Sequence, residues 1–207
     1  MRDTIGPVTL GPPPRAPLAR VTPDRALPAL PSAAWIAVLF FVGAETMIFA
    51  GLLTAFGIYR HASPVWPPFG EPRLPIAVTA ANTVLLVLSA GTMRAALARL
   101  RLGQACAGRQ ALRATAVLGA IFLAVQGGEW VRLVGWGLRA ASGPYGGFYY
   151  TLIGAHGIHV VGAVVALAVL VARGGGLPPL TRLEACGLYW YFVCGLWLVI
   201  FAVVYLS

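Results

Sequence analysis

The chain has 207 residues, 59% hydrophobic and 10% charged, with a formal charge of +9 from 15 basic residues that are all arginine. An ordinary soluble domain carries about 25% charged residues, so the composition excludes that class and points to a membrane protein. The arginines lie between apolar runs rather than along one face, which argues against a nucleic-acid surface and for topology signals.

The first 32 residues hold eight of the 16 prolines, with Arg2, Arg15, Arg20 and Arg25 and no helical periodicity. This segment reads as a flexible cytoplasmic tail. No short apolar stretch with a small-residue cleavage site precedes the first long run, so a cleaved signal peptide is not expected.

Five apolar stretches follow, at about 33–59, 75–98, 112–138, 148–172 and 184–206. Each is close to or above the roughly 20 residues that a hydrocarbon core requires. Lipid cannot satisfy open strand edges, so all five are expected to be helices. The fold class is an all-α integral membrane bundle of five transmembrane helices over 33–207.

Arginine counts orient it. The tail, the loop after the second span (Arg94, Arg99, Arg101, Arg109, Arg113) and the fourth loop (Arg173, Arg182) place eleven on one side. Arg60, Arg73, Arg132 and Arg139 leave four on the other. The positive-inside rule then puts the N-terminus in the cytoplasm and the C-terminus outside. Arginine without lysine, beside abundant Ala, Gly and Pro, suggests a bacterial gene and hence the inner membrane.

Cys106, Cys186 and Cys194 have no metal-ligand spacing and read as small apolar fillers. Trp35, Tyr59, Trp66, Trp136, Tyr149 and Tyr150 fall near span ends and fit interfacial belts. Gly43, Ala44, Gly51, Gly154, Gly157 and Gly162 are of the type that lets helices approach closely.

Glu45 is the most informative residue, because a carboxylate near mid-membrane costs on the order of 3 kcal/mol. It needs a proton or a buried partner, and at that depth it is expected to keep its proton. Counted along the spans, Glu45 and His159 lie at matching depth. Asn82, Gln126 and His156 share a level in the outer half, with Glu129 nearer the surface and Arg132 one turn away. These residues suggest a polar interhelical seam. His156 and His159 sit on one face of one helix; no other span supplies a histidine for a bis-histidine haem or an obvious third metal ligand. Interhelical hydrogen bonding is their expected work.

In order and spacing these residues resemble the third subunit of haem-copper terminal oxidases, the cytochrome c oxidase subunit III family. The similarity runs through Glu45, Phe49 and Tyr59, then Trp66-Pro67-Pro68, Asn82-Thr83 with Ser89, and Gln126 with Glu129. It continues in Tyr145-Gly146, Gly154 through His156-Gly157 and His159-Val160 to Gly162, Glu184, Tyr189-Trp190, Phe192-Val193 and Trp197. It covers roughly 33–206 and looks like the short five-helix form. Tyr191 and Cys194 stand where the family usually has a histidine and an aspartate.

The resemblance implies a chain with no catalytic, haem, copper or other metal site of its own. It implies packing beside the catalytic subunit I and, through it, subunit II, with structural phospholipids held in a cleft. Haem and copper would lie in the partner subunits, and Glu45 would be the embedded carboxylate linked to proton uptake. The same fold would serve a subunit accompanying a nitric oxide reductase. A small proton-coupled transporter is the reading from a different class, opposed by the lack of repeated halves.

Overall fold

The structure, a computed structural model, describes residues 32–172, 176 and 178–206. The expected tail (1–32, apart from Ser32) and Arg173 lie outside the described residues. Five α-helices follow in chain order: α1 (Ala33–Ala62), α2 (Ile76–Arg101), α3 (Ala105–Gly135), α4 (Pro144–Ala172) and α5 (Leu180–Tyr205). All five are long and apolar enough to cross a membrane, and there is no strand among the described residues.

Local signals set the ends. The Ser32 side chain caps α1 by accepting from the Trp35 amide at 3.2 Å, which satisfies one of the amides left open at a helix start. α2 stops where Gly103 takes φ +74°. Gln104 N–H then donates to the Arg99 carbonyl and Gly103 N–H to that of Leu100, the paired bonds of a Schellman ending. α3 stops in the same way at Gly137, φ +97°. There Leu138 N–H reaches the Leu133 carbonyl at 3.0 Å, and both leucine side chains are fully buried.

α2 and α3 form the most extensively packed pair, an antiparallel hairpin turned by Gly103. α5 packs against α1, α2 and α4, while among the five described helices α1 meets only α4 and α5. α1 is therefore the least buried helix, with only Phe49 and Phe56 enclosed and Phe40 and Met47 more than three-quarters exposed. The 63–75 connection lies at the end of the bundle where α1 stops and α2 and α4 start, and is anchored by Trp66. Its ring packs edge-on to Phe56, Tyr59 and Tyr145 at 5.7, 6.0 and 5.0 Å, with Arg60 4.7 Å above it.

Lipid solvates apolar side chains as well as a protein core does, so close packing and buried hydrogen bonds hold such helices together. Trp190 and Trp197 of α5 supply much of both. Trp190 donates its indole N–H to Ser89 Oγ at 3.2 Å and lies directly over Gly119, where an added Cβ would come within 2.5 Å of the ring. Trp197 donates to Thr83 Oγ1 at 2.9 Å and packs edge-on to Phe122.

The glycines at real close approaches differ from those expected. Gly43, Gly51, Gly154 and Gly162 have open space where a Cβ would stand, whereas Gly119, Gly146 and Gly187 face tight contacts. Of the expected set Gly157 does so, under Trp130. Tyr149 is also no belt residue: it is buried and its hydroxyl is paired with that of Tyr205.

Candidate functional site

Glu45 lies about 18 Å along α1 from Ala33, and His159 about 20 Å along α4 from Ala172, at 1.5 Å per residue. The two helices touch, and these residues meet: His159 Nε2 is 2.8 Å from Glu45 Oε2, with their side chains 20% and 12% exposed. His159 Nδ1 lies 2.6 Å from the Ala155 carbonyl oxygen. Phe49, one helical turn from Glu45, closes one side with its ring edge-on to the imidazole at 5.5 Å.

The backbone contact decides the proton count. A carbonyl oxygen can only accept, so Nδ1 carries a hydrogen. If the ring is neutral, Nε2 offers a lone pair and the Glu45 carboxyl donates to it. If the proton crosses, the pair becomes imidazolium and carboxylate. Either way one proton bridges the two side chains, and the pair as a whole stays neutral in an apolar setting. This arrangement can hold a proton and relocate it over a hydrogen-bond distance.

The other polar residues expected to line a seam form separate contacts. Asn82 Nδ2 donates to the Phe122 carbonyl at 3.1 Å, tying α2 to α3. Gln126 Nε2 donates to the Tyr205 hydroxyl at 3.2 Å, and that hydroxyl lies 3.0 Å from the one on Tyr149. α3, α4 and α5 are thereby clamped at one level. Glu129, almost wholly buried, pairs with the largely exposed Arg132 at 2.9 Å. His156 joins none of these: its ring stacks on Trp197 at 5.1 Å with planes 30° apart, and both ring nitrogens are buried without a hydrogen-bond partner among the described residues. Tyr205 and Trp130 were not singled out as site residues from the sequence, since an aromatic residue near a span end carries no mark of burial.

The two departures in α5 fall elsewhere. Tyr191 is 37% exposed. Cys194 is buried against α2, its thiol 3.8 Å from the Leu86 carbonyl and 4.0 Å from Ser89 Oγ. A weak thiol donor thus stands in the α2–α5 seam. Among the described residues no group of three or more His, Cys, Asp or Glu side chains is placed to hold a metal.

Among the described residues, clefts open on the bundle at two places between helices. One, of about 470 Å³, lies toward the α5 start between α1, α4 and α5, walled by Ala34, Ala163, Ala166 and Ala185 with Arg182 among its lining residues. The other, of about 320 Å³, lies between α3 and α4.

Five membrane-spanning helices around a central pair of tryptophans, with a carboxyl–imidazole pair at mid-depth, define a multi-pass helical membrane protein. The model of the family described as cytochrome c oxidase subunit III matches residues 29–207, and the chain belongs to that family. It is 36% identical over 174 residues to the cytochrome c oxidase subunit 3 of Synechocystis, covering 82% of this chain and 73% of that one. It is 31% identical to a probable cytochrome c oxidase subunit 3 of Nocardia farcinica, over 84% of this chain and 88% of the relative. For the subunit of Thermostichus vulcanus the identity is 28%, over 83% and 86%.

Proposed function

We propose that this chain is the non-catalytic subunit III of a haem-copper terminal oxidase in a bacterial inner membrane, with its N-terminus cytoplasmic. It packs beside the haem- and copper-bearing subunit I and, through it, joins subunit II. Its work is to stabilise the catalytic subunit and support proton uptake during oxygen reduction. The observation that carries this reading is the continuous family match over 29–207. The bridging proton at Glu45 and His159 is the feature that fits it chemically.

The pair is suited to the proton-linked part of the task. A group that exchanges a proton near mid-membrane has to avoid creating a net charge there, and a carboxyl paired with an imidazole meets that requirement. The groove between α1, α4 and α5 suits a structural phospholipid. Its walls are apolar and shaped by alanines, and Arg182 at the start of α5 is of the sign that attracts a phosphate. A nitric oxide reductase as partner would use the same fold, but the relatives this chain resembles are cytochrome c oxidase subunits, which supports the oxidase.

The test compares the purified oxidase carrying this chain, the same oxidase stripped of it, and a Glu45→Gln complex. The expected result is faster loss of activity per turnover on stripping, with slower proton uptake in both altered forms. Indistinguishable uptake and lifetime in all three would overturn the proposed role.

A further inference from the structure

A pocket of about 200 Å³ lies between the 63–75 connection and three helix ends, lined by Trp66, Arg73 and Leu74 of the connection together with Ile76, Tyr145 and Tyr205. Ile76 opens α2, Tyr145 stands in the first turn of α4, and Tyr205 closes α5. Three span ends meet there, which sets the pocket at the level of lipid headgroups rather than in the hydrocarbon.

Tyr145 is 4% exposed, and its ring is held edge-on to Trp66 at 5.0 Å. Its hydroxyl makes no hydrogen bond among the described residues. Unlike the nitrogens of His156, that oxygen is not sealed off, and it is reached through the pocket that the side chain lines. A buried hydroxyl without a partner costs about 1–3 kcal/mol, so an occupant that pairs with it is favoured.

Opposite charges stand on either side of this hydroxyl in the sequence of the connection. Arg73 lines the pocket, and Glu71 lies near enough to Tyr145 for its charge to act there. Among the described residues neither forms an ion pair, with the other or with any third side chain. Arg60, 4.7 Å over the Trp66 ring, adds a second positive charge. α2 begins beside the pocket with no side-chain cap, so the positive end of that helix is open.

The ligand class follows from these groups. A guanidinium and a free hydroxyl donate together to an oxyanion, and phosphate is the oxyanion that a membrane supplies at this level. Glu71 opposes a purely anionic ligand and favours one that carries its own positive charge. Water would serve the hydroxyl alone, whereas a zwitterionic headgroup meets the hydroxyl and both charges at once. The volume is below that of sites for drug-sized ligands and admits a compact headgroup without its acyl chains. Ile76 and Val78, 47% and 40% exposed in the first turn of α2, give those chains an apolar surface to follow.

We propose that this pocket holds the headgroup of one phosphatidylethanolamine molecule, with its phosphate on Arg73 and the Tyr145 hydroxyl, its ammonium on Glu71 and its acyl chains in the adjoining leaflet. The site lies at the opposite end of α5 from the α1/α4/α5 groove, and the inference goes beyond the accessory-subunit reading.

The experiment uses the complex purified through a tag on this chain and placed in phosphatidylcholine nanodiscs with a trace of phosphatidylethanolamine that carries a diazirine near its glycerol. After illumination, peptides of this chain are mapped by mass spectrometry with and without excess unlabelled phosphatidylethanolamine, phosphatidylglycerol or inorganic phosphate. The expected result is adducts within 66–78 or 200–206 that excess phosphatidylethanolamine removes and inorganic phosphate does not. Labelling should fall roughly tenfold in Arg73→Gln and in Tyr145→Phe, which keeps the ring on Trp66 and loses only the hydroxyl, as expected for one hydrogen bond to a charged group. Phosphatidylglycerol should compete roughly tenfold less well, a preference that Glu71→Gln abolishes. Co-purification of the partners and an unchanged thermal midpoint show that each variant is folded. Removal of the adducts by inorganic phosphate would make this a free-anion site and overturn the lipid assignment. Adducts that every lipid clears equally, adducts that survive both Arg73→Gln and Tyr145→Phe, or no adducts at these peptides because a partner covers the pocket would each overturn the proposal.

Discussion

His159 Nε2 stands 2.8 Å from Glu45 Oε2 while the other nitrogen of the same ring faces the Ala155 carbonyl at 2.6 Å. The second contact fixes which nitrogen carries the hydrogen in the neutral ring, and so makes the carboxyl the donor of the first. The neutral form avoids opposite charges in a setting where desolvating an ion is expensive. Infrared difference spectra at neutral pH should show a protonated carboxyl band that disappears in Glu45→Gln. An ionised carboxylate band lost in the same variant would show that the proton rests on His159. Glu45→Gln should preserve the fold, because its amide can still donate to Nε2. His159→Leu strands the acid and should destabilise by about 1–3 kcal/mol.

Gly119 and Gly43 separate a required glycine from an incidental one. A side chain at 119 would collide with Trp190 and with Val164, at 2.5 and 2.9 Å from the new Cβ. Gly119→Val should therefore lower stability by about 1–3 kcal/mol or more. Gly43→Ala meets no atom of the described residues within 4 Å and should leave stability unchanged or raise it by up to about 1 kcal/mol. Thermal unfolding of the purified chain in detergent reads both.

The Gln126, Tyr205 and Tyr149 cluster holds three helices through one hydroxyl. Hydrogen bonds in bilayers average only about 0.6 kcal/mol in double-mutant cycles, yet Tyr205→Phe strands both partners in a dry interior. The expected loss is about 1–3 kcal/mol. Adding Gln126→Leu should cost less than the sum of the two single changes, because they share the bond.

The two arginine–carboxylate pairs should behave differently. Arg101 and Glu184 are 58% and 31% exposed, so breaking that pair should change stability by at most about 1 kcal/mol, and less in high salt. Glu129 is 6% exposed and its Oε2 has no partner among the described residues. Arg132→Gln therefore leaves a carboxylate buried and unpaired and should be the more damaging change. Denaturation midpoints at low and high salt distinguish them.

Cys106 tests the orientation. It is exposed at the start of α3, whereas Cys194 is buried. With the N-terminus inside, a membrane-impermeant maleimide should label Cys106 in inverted vesicles and leave it unmodified in right-side-out ones. The reverse pattern would invert the topology.

The helices were legible because each span is a long apolar run with few charges, and hydropathy alone marks those. The faces were not. α1, α4 and α5 are apolar nearly all round, so no periodic polar stripe marks their buried side. Whether a glycine or tyrosine is enclosed depends on the neighbour across the interface, which is why Gly119 was passed over and Tyr149 was assigned to a belt. Glu45 and His159 were legible because polar groups at mid-span are expensive and depth along a helix can be counted. The Ala155 carbonyl was not, since a backbone acceptor leaves no trace in residue identity.

The most direct test of the central claim is purification in mild detergent through a tag on this chain, with an optical spectrum, partner mass spectrometry and an oxygen-consumption assay. A complex containing a large haem-bearing subunit that reduces oxygen is the predicted result. A solitary colourless protein, or a complex that consumes nitric oxide and no oxygen, would contradict it.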